Sequence, residues 1–319
     1  MRRRELGDLQ VSVVGLGCNN FGGRVGLDGT RAVVDAALES GVQFFDTADV
    51  YGGRGGSERL LGEVLRGRRD RVVLATKFGA DMGGENGEPA GPSGSRAYIH
   101  QAFEASLRRL QTDWIDLYQY HRPDGVTPIA ETIGALNELV AAGTVRHIGC
   151  SNFSAAQLAE AADAAREHGF APFVSLENEY SLLVRDIEAD VVPECERLGV
   201  GVLPYFPLSS GRLTGKYRRG EPAPEGSRLR GRGEVADATT FDRLEAAAEF
   251  AAARGLELVQ VAIGGLAAQP MVVSVIAGAT TPEQVRTNAT AADWEPTPED
   301  LAALDEIFPS PRRRAAGAA

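Results

Sequence analysis

Four side chains that could together move a proton follow three consecutive apolar segments of the chain. Asp46 ends the first of these segments, and Tyr51 lies five residues beyond it. Lys77 ends the second segment, and His121 follows the third. If the segments are neighbouring strands of one parallel sheet, these side chains meet at the same edge of the sheet.

The four residue types suit the reduction of a carbonyl group. A tyrosine hydroxyl has a pKa near 10 and is a weak acid at neutral pH, but a nearby lysine lowers that pKa and stabilises the phenolate. Asp46 would hold Lys77 charged and in place. His121 could donate a hydrogen bond to a substrate carbonyl oxygen. We therefore expect Tyr51 to give a proton to a carbonyl that receives a hydride from elsewhere.

Lysine is rare in this chain, which makes the position of Lys77 informative. Only two of the 33 basic residues are lysines, Lys77 and Lys216. The pKa of arginine is too high to be tuned, and its planar fork takes more room. An arginine would therefore serve poorly in the place of Lys77.

Eight short apolar segments alternate with longer amphipathic stretches along the chain. The segments lie at 13–17, 42–46, 72–77, 114–120, 145–150, 173–177, 200–205 and 272–276. This alternation predicts an α/β fold, a (β/α)₈ barrel in a single domain over residues 1–319. An open, doubly wound sheet is the alternative. An N-terminal β-hairpin is expected to turn at Gly7 and Asp8.

Helix starts and loops complete the predicted architecture. Threonine before proline at 127–128 and 297–298 predicts N-caps, and Ser154 with Gln157 and Thr281 with Gln284 fit capping boxes. Long loops are expected at 79–94, predicted to be mobile, and at 206–240. The second loop is basic, with Arg212, Lys216, Arg218, Arg219, Arg228, Arg230 and Arg232. The tail 312–319 is predicted to be disordered.

Composition excludes several classes of function. A net charge of −11 argues against a general affinity for nucleic acid or an anionic membrane, and no apolar run is long enough to span a bilayer. The start of the chain is basic but has no apolar stretch of a secretory signal. The cysteines, Cys18, Cys150 and Cys195, have no metal-ligand spacing, so we expect no metal and a reducing, cytoplasmic location. The other histidines, His100, His147 and His168, are expected on the surface or in helices.

Several independent motifs resemble the aldo-keto reductases, in their bacterial form with a short C-terminal tail. The resemblance is collinear from about residue 3 to residue 307. The motifs are FDTADVYG at 45–52, TKF at 76–78, HRPD at 121–124, GCSNF at 149–153, NEYSLL at 178–183, LTGKY at 213–217 and GATTPEQ at 278–284.

The resemblance implies a catalytic tetrad of Asp46, Tyr51, Lys77 and His121, with Tyr51 as proton donor. It also implies a nicotinamide cofactor, with NADPH favoured and NADH possible, and a small carbonyl substrate. Ser151 and Asn152 would hold the carboxamide, Tyr205 would stack on the ring, and residues 208–216 would follow the pyrophosphate. The implied cofactor residues are Gly17, Asn20, Ser151, Asn152, Glu177, Tyr205, Phe206, Leu208, Gly211, Lys216, Gly278, Thr280, Gln284 and Asn288.

Three departures from the family pattern concern the cofactor. Glu177 stands where glutamine is usual, and a carboxylate cannot donate a hydrogen bond to the carboxamide oxygen, a role that Asn152 could take. Arg212 stands where an apolar residue is common, and is expected to add charge near the pyrophosphate. The stretch 278–284 lacks the lysine or arginine usual in members that prefer NADP. The nearby cation is Arg286, so selectivity for NADPH is expected to be weak.

Other functions stay open at the level of sequence. A Schiff-base lyase or aldolase would also use a barrel lysine, although pairing with Asp46 counts against it. A regulatory subunit that binds the cofactor as a sensor, like the potassium-channel β subunits of the family, is a further alternative. For the enzyme, Phe21, Val50 and Phe78 are expected to line an apolar pocket for an aromatic or apolar carbonyl compound. The sequence predicts no oligomeric state.

Overall fold

A curled parallel sheet with helices between its strands organises the chain in this computed structural model, which describes residues 1–231, 233 and 235–311. Two antiparallel strands come first, β1 (Arg3–Leu6) and β2 (Leu9–Ser12). The eight parallel strands of the described residues are β3 (Val14–Gly17), β4 (Phe44–Asp46), β5 (Val73–Phe78), β6 (Ile115–Tyr120), β7 (Val145–Ser151), β8 (Phe173–Glu177), β9 (Gly201–Val202) and β10 (Val275–Gly278). Arg232 and the predicted disordered tail 312–319 lie outside the described residues.

The sheet closes on itself. Its strand order is β10-β3-β4-β5-β6-β7-β8-β9. The two outer strands are joined through the residues just before β10, because Val202 bridges Val272 in parallel and Val273 donates to the Val202 carbonyl at 2.9 Å. Ile276 also donates to the carbonyl of Pro204 at 3.0 Å. The predicted (β/α)₈ barrel is confirmed, and the open doubly wound alternative is wrong.

Helices connect the strands and form the outer layer. They are α1 (Leu27–Glu39), α2 (Gly56–Val64), α3 (Arg96–Leu110), α4 (Ile129–Ala141), α5 (Ala155–His168), α6 (Val191–Leu198), α7 (Ala238–Ala252), α8 (Leu258–Ala267), α9 (Pro282–Ala291) and α10 (Pro298–Ile307). Short 3₁₀ turns occur at Arg69–Arg71, Asp186–Glu188 and Ser209–Thr214. Among the described residues, no helix is both long enough and apolar enough to cross a bilayer.

The predicted strand at 200–205 is shorter than expected. Only Gly201 and Val202 form a regular ladder with β8, although Leu203 and Tyr205 still donate to backbone carbonyls beside that strand. Pro204 has no N–H group to donate toward β10, although its carbonyl accepts from Ile276 at 3.0 Å. The rest of the segment keeps its course and delivers Tyr205 to the end of the barrel where the strands terminate.

Two of the four predicted N-terminal caps are complete. Ser154 begins α5 and Thr297 begins α10, each with a full capping box. Thr281 begins α9 and accepts from the amide of Gln284, but the side chain of Gln284 accepts from Thr280 instead of Thr281. That capping box is therefore only half formed.

The cap predicted at Thr127 is wrong, because Pro128 is the N-cap of α4. The Thr127 hydroxyl donates instead to Asp124 Oδ2 at 2.7 Å, and the Thr127 amide donates to Asp124 Oδ1 at 2.8 Å. The Thr127 hydroxyl is therefore engaged with Asp124, and among the described residues no side chain caps the start of α4.

The N-terminal hairpin covers the end of the barrel where the strands begin. Leu6, Leu9 and Val11 pack with inward-facing residues of the barrel strands, among them Phe44 and Leu117, in one apolar cluster. The barrel is therefore closed largely by apolar packing at this end, and the ion pair of Lys77 and Asp46 lies toward the opposite end.

The contact between α2 and α3 offers a test of packing. A Cβ added to Gly62 in α2 would lie 2.4 Å from the carbonyl oxygen of Arg109, a backbone atom that cannot move aside cheaply. We expect Gly62→Ala to lower the free energy of unfolding by about 1–3 kcal/mol, measured by urea denaturation.

Gly134 in α4 is the matched control, since an added Cβ meets only the ring of Phe170, at 3.3 Å. Gly134→Ala is expected to be neutral or stabilising by up to about 1 kcal/mol, because alanine favours helix. Equal effects of the two substitutions would contradict this account of the α2–α3 contact.

Candidate active site

Strand alternation carries polar side chains into the upper part of the barrel. Successive side chains of a strand point to opposite faces, so Asp46 faces the same side as Phe44, and Lys77 the same side as Ala75. Phe44 and Ala75 belong to the apolar cluster under the hairpin. Along both strands, the side chains that face the barrel interior therefore change from apolar to ionisable within two residues.

A buried ion cluster lies across this upper interior. Lys77 Nζ is 2.6 Å from both carboxylate oxygens of Asp46 and 3.0 Å from the carbonyl of Thr47. Glu177 Oε2 lies 3.2 Å from the same ammonium on the other side. Gln119 donates to Glu177 at 2.9 Å. Lys77 has no exposed surface, so its charge is balanced entirely by protein groups.

A tight turn after β4 places Tyr51 above Lys77. Gly52 has a φ of +68°, and a Cβ there would lie 2.3 Å from the carbonyl oxygen of Phe21. Glycine is therefore required at this position. The turn sets the ring centroid of Tyr51 5.2 Å from Lys77 Nζ.

His121 completes the group from the end of β6. Its ring lies edge-on to that of Tyr51, with centroids 5.9 Å apart. Burial, followed by the charges of Lys77 and Arg122, lowers the pKa of His121 to about 3. The imidazole is therefore neutral at physiological pH. Its Nδ1 is buried with no hydrogen-bond partner among the described residues.

The acid–base properties of the cluster follow from burial and charge. Burial lowers the pKa of Lys77, but Asp46 and Glu177 outweigh it and the pKa is raised. Burial, then repulsion from Glu177, raises the pKa of Asp46 despite Lys77. Burial also raises the pKa of Tyr51, and Lys77 offsets this only in part. Lys77 therefore acts on Tyr51 in the predicted direction, but desolvation exceeds its effect and the pKa of Tyr51 is raised overall.

The Tyr51–His121 pair faces a cleft of about 600 Å³ at the carboxyl ends of the strands. Every residue predicted to bind a cofactor lines this cleft, and so do Asp46, Tyr51 and His121. These residues are Gly17, Asn20, Ser151, Asn152, Glu177, Tyr205, Phe206, Leu208, Gly211, Lys216, Gly278, Thr280, Gln284 and Asn288. Lys77 lies behind the wall, which disfavours the Schiff-base alternative.

Polar groups at the inner end of the cleft are already organised by one another. Asn152 donates to the carbonyl of His121 at 3.0 Å and accepts from the Tyr205 hydroxyl at 2.9 Å. Its φ of +60° is in the left-handed region, so its side chain is aimed by an uncommon backbone conformation. Ser151 donates to the carbonyl of Glu177 at 2.7 Å. Glu177 is directed toward Lys77 and Gln119.

The middle of the cleft is formed by a run of left-handed residues. Phe206, Ser209, Ser210 and Gly211 all have positive φ, a kind of conformation that can turn backbone N–H groups toward an anion. Lys216 lies against Gly211, where an added Cβ would meet its Nζ at 2.6 Å. This wall of the cleft therefore favours negative charge.

Arg212 does not join this wall. Its guanidinium donates to the carbonyls of Val235 and Ser209 at 2.7 and 3.3 Å, and it does not line the cleft. The prediction that Arg212 adds charge near a pyrophosphate is wrong. Its backbone partners hold it on the side of the following loop instead.

The outer end of the cleft is formed by the start of α9. Gln284 Oε1 accepts from the amide and hydroxyl of Thr280 at 2.8 and 3.1 Å. Glu283 lines the cleft, whereas Arg286 lies outside it and pairs with Glu39 at 3.5 Å and Glu283 at 3.9 Å. Arg286, the cation expected near the cofactor, is therefore paired with carboxylates outside the cleft.

Three cleft cations lay outside the predicted cofactor set. Arg24, Arg122 and Arg228 all line the cleft. Arg228 donates to Asn20 at 3.1 Å and lies 5.5 Å from the ring of Phe206. Arg24 follows β3 and Arg122 follows β6. Loops at the carboxyl ends of barrel strands form the active site, so these positions could have identified both residues from the sequence. Arg228 lies in the predicted basic loop, whose path across the cleft has no sequence signature.

Three residues expected at the substrate pocket lie elsewhere. Phe78 is fully buried between the rings of Tyr118 and Tyr120, with centroids 4.9 and 5.0 Å apart. As the neighbour of inward-facing Lys77, it must point outward to the helices. Phe21 is also fully buried. The prediction that they line the pocket is wrong, and Val50 does not line the cleft either.

Of the cysteines and the other histidines, Cys18 lines the cleft and the rest lie outside it. Cys18, Cys150 and Cys195 are free and buried, and burial raises the pKa of each thiol. Raised thiol pKa values disfavour redox chemistry at Cys18 and Cys150. His100 and His168 lie in α3 and α5. His147 lies on β7, and its side chain contacts Asp8 in the hairpin turn.

Comparison with known proteins agrees with the fold and the cleft. The model of the aldo/keto reductase family matches residues 13–308. The chain belongs to that family, which is a family of oxidoreductases.

Two relatives match over nearly their whole length. An uncharacterized oxidoreductase of Bacillus subtilis, YrpG, is 36% identical over 310 residues, which is 95% of this chain and 94% of the relative. A probable voltage-gated potassium channel subunit beta of Oryza sativa subsp. japonica is 33% identical over 328 residues, 98% of each chain.

The neutral state of His121 predicts a dependence of stability on pH. Its pKa is about 3 in the folded protein and near 6.5 when unfolded, so the unfolded chain binds more protons between these values. The free energy of unfolding should therefore fall as pH falls from about 6.5, by at most about 1.4 kcal/mol per pH unit. His121→Gln should remove this contribution in urea denaturation at several pH values.

His168, exposed in α5, is the matched control. His168→Gln is expected to leave the pH dependence of unfolding close to that of the unchanged protein. If His121→Gln had the same slope as the unchanged protein, His121 would not be held neutral by the fold.

Proposed function

We propose that the protein is an NAD(P)H-dependent reductase that converts an aldehyde or ketone to an alcohol, with Tyr51 as the proton donor. One observation carries the proposal. The Tyr51 side chain and a neutral His121 face one cleft directly above a buried Lys77–Asp46 ion pair. A protonated phenol beside a neutral imidazole, backed by a fixed cation, suits a carbonyl oxygen that gains negative charge.

Each residue has a distinct task in the proposed reaction. His121 donates a hydrogen bond that holds the carbonyl oxygen near Tyr51. The Tyr51 hydroxyl protonates that oxygen as charge develops on it. Lys77 stabilises the phenolate left behind, and Asp46 keeps Lys77 charged and in place. In the reverse direction the phenolate of Tyr51 removes the proton from an alcohol.

The residues that line the cleft fit a nicotinamide dinucleotide, which would supply the hydride. Ser151, Asn152 and Tyr205 lie at the end nearest Tyr51 and could hold a carboxamide and cover an aromatic ring. Gly211 leaves room for Lys216 in the wall, which suits a pyrophosphate. The start of α9 can receive a further phosphate at its amide groups.

We propose NADPH as the favoured cofactor, with NADH also used. Family membership supports a nicotinamide cofactor, and Arg24 and Arg228 add positive charge to the cleft. The carboxylate of Glu283 lines the outer end, where the segment 278–284 has no cation. Weak discrimination between the two cofactors is therefore expected.

Aromatic side chains in the cleft support a substrate with an aromatic or apolar body. Tyr205 and Phe206 pack edge to face with centroids 5.3 Å apart, and Phe206 is a large apolar side chain left 38% exposed. Faster turnover of small charged sugars than of aromatic aldehydes would contradict this substrate class. The free, buried cysteines support a reducing, cytoplasmic location.

A regulatory subunit that senses the cofactor is the second candidate. It is favoured by the 33% identity to the potassium channel subunit beta. A sensor would bind the reduced cofactor tightly with little turnover of any carbonyl compound. The measurement below distinguishes the two candidates.

Removal of one hydroxyl tests the proposed reaction. Tyr51→Phe should keep cofactor binding but lower turnover by about 10²–10⁴-fold, because general acid catalysis is typically worth this factor. The measurement is oxidation of NADPH and of NADH by absorbance, with an activated aromatic aldehyde as substrate. Cofactor fluorescence reports binding in the same samples.

Tyr217→Phe removes the same group from a buried tyrosine whose hydroxyl donates only to the carbonyl of Ser210, at 3.3 Å. It should keep most of the turnover. Unchanged turnover in Tyr51→Phe would overturn the assigned role. Tight cofactor binding with no turnover in the unchanged protein would favour the sensor.

The cofactor preference can be tested at the start of α9. Thr280→Arg should tighten NADPH more than NADH, since only NADPH carries a 2′-phosphate for the new cation. Dissociation constants for both cofactors, measured by fluorescence, give the ratio. Thr290→Arg adds the same charge on an exposed turn of α9 outside the cleft, and should leave the ratio unchanged. Equal tightening of both cofactors by Thr280→Arg would place the 2′-phosphate elsewhere.

A further inference from the structure

The ion cluster contains one more carboxylate than a simple ion pair requires. Asp46 alone would neutralise Lys77, since its two oxygens lie 2.6 Å from the ammonium. Glu177 approaches the same nitrogen to 3.2 Å from β8, across the barrel interior. It is only 1% exposed, so its carboxyl group is shielded from water.

Gln119 ties the two carboxylates together. Its Nε2 donates to Glu177 Oε2 at 2.9 Å and lies 3.4 Å from Asp46 Oδ1. Its Oε1 accepts from the hydroxyl of Ser175 at 3.1 Å, which fixes the orientation of the amide. The position of Glu177 is therefore built into the strands, and its carboxylate is aimed at Lys77.

The charged groups around Tyr51 come from four strands. Lys77 favours the phenolate of Tyr51, whereas Asp46 and Glu177 oppose it. His121 is neutral and its ring is edge-on to Tyr51. Further out, Cys18 lies near Asp46, and Arg122 lies near His121. With the second carboxyl group, two acidic side chains face one ammonium group beneath the phenol.

We propose that Glu177 is a positioning residue that acts through Lys77, offsets the attraction of the ammonium for the Tyr51 oxyanion, and so keeps Tyr51 protonated. The inference rests on the proposed function, in which Tyr51 is the proton donor. Its consequence is directional. Carbonyl reduction, which needs the phenol, extends to alkaline pH, whereas alcohol oxidation, which needs the phenolate, is confined to alkaline pH.

The size of the effect follows from Coulomb's law. Two unit charges several ångströms apart at an effective dielectric constant of about 20 shift a pKa by about one to two pH units. Glu177→Gln removes the charge and keeps an oxygen that can accept from Gln119. In this variant the loss of kcat/KM for carbonyl reduction at high pH should begin about one to two pH units lower. Alcohol oxidation near neutral pH should rise by about tenfold or more.

Two further variants make the result specific to charge at this position. Glu177→Asp keeps the carboxylate on a shorter side chain and should keep the alkaline profile of the unchanged protein. Glu179→Gln makes the same change two residues later on an exposed side chain, and should shift nothing. A loss of packing at residue 177 would lower kcat without moving the pH profile.

A readout that needs no turnover separates this inference from the proposed function. Tyrosinate absorbance is recorded against pH, with and without Tyr51→Phe, in the unchanged protein and in Glu177→Gln. The difference traces isolate the phenol of Tyr51, which should ionise at lower pH when Glu177 is neutralised. Coincident traces would overturn the inference. Absence of turnover with a shifted trace would instead overturn the proposed function alone.

Discussion

The structure depends on placing an ammonium group in the middle of a barrel. Removing a charge from water costs several kcal/mol even after the protein relaxes, and Lys77 has no exposed surface. The contacts with Asp46, the carbonyl of Thr47 and Glu177 offset this cost. These partners come from the ends of β4 and β8, and Lys77 itself lies on β5, so the charge is stable only when the barrel has closed. The interior of the barrel and its chemistry therefore form together.

The division of the barrel into two ends follows from the same constraint. An apolar layer under the hairpin supplies burial, and the ionised layer above it opens on the cleft. Because strand side chains alternate with a period of two, the layers are separated by one inward-facing step. Outward-facing residues, such as Phe78, pack against the rings of Tyr118 and Tyr120 on the neighbouring strand β6. The ion cluster is thereby held in a rigid frame.

Local patterns predicted the fold and most of the cleft because those features depend on short stretches of chain. Strand ends carry Asp46, Lys77 and Glu177, and parallel strands bring their ends to one edge. Charge balance in the folded protein could not be obtained in this way. The pKa of Tyr51 depends on how far burial exceeds the effect of Lys77, and the direction of Glu177 depends on a partner more than fifty residues earlier, Gln119.

The misplaced side chains have a similar explanation. Phe78 lies next to Lys77 in sequence, but proximity along a strand implies opposite faces. Arg212 and Arg286 have the expected charge, but their guanidinium groups are directed by backbone carbonyls and by carboxylates from other segments. Long, flexible cations are placed by whichever acceptor tertiary structure offers, and a sequence does not specify that acceptor.

The closure of the barrel beside β9 has a consequence for how ligands and stability are linked. There β9 is joined to the residues before β10 by the bridge between Val202 and Val272, and Ile276 donates to the carbonyl of Pro204. The segment around Leu208 follows β9, and the segment around Thr280 follows β10, so they lie on the two sides of this closure. Both segments line the cleft. A ligand that contacts both segments connects the two strands at which the barrel closes. Its binding then stabilises the closed barrel by an amount that rises with the logarithm of ligand concentration once the ligand is well above its dissociation constant.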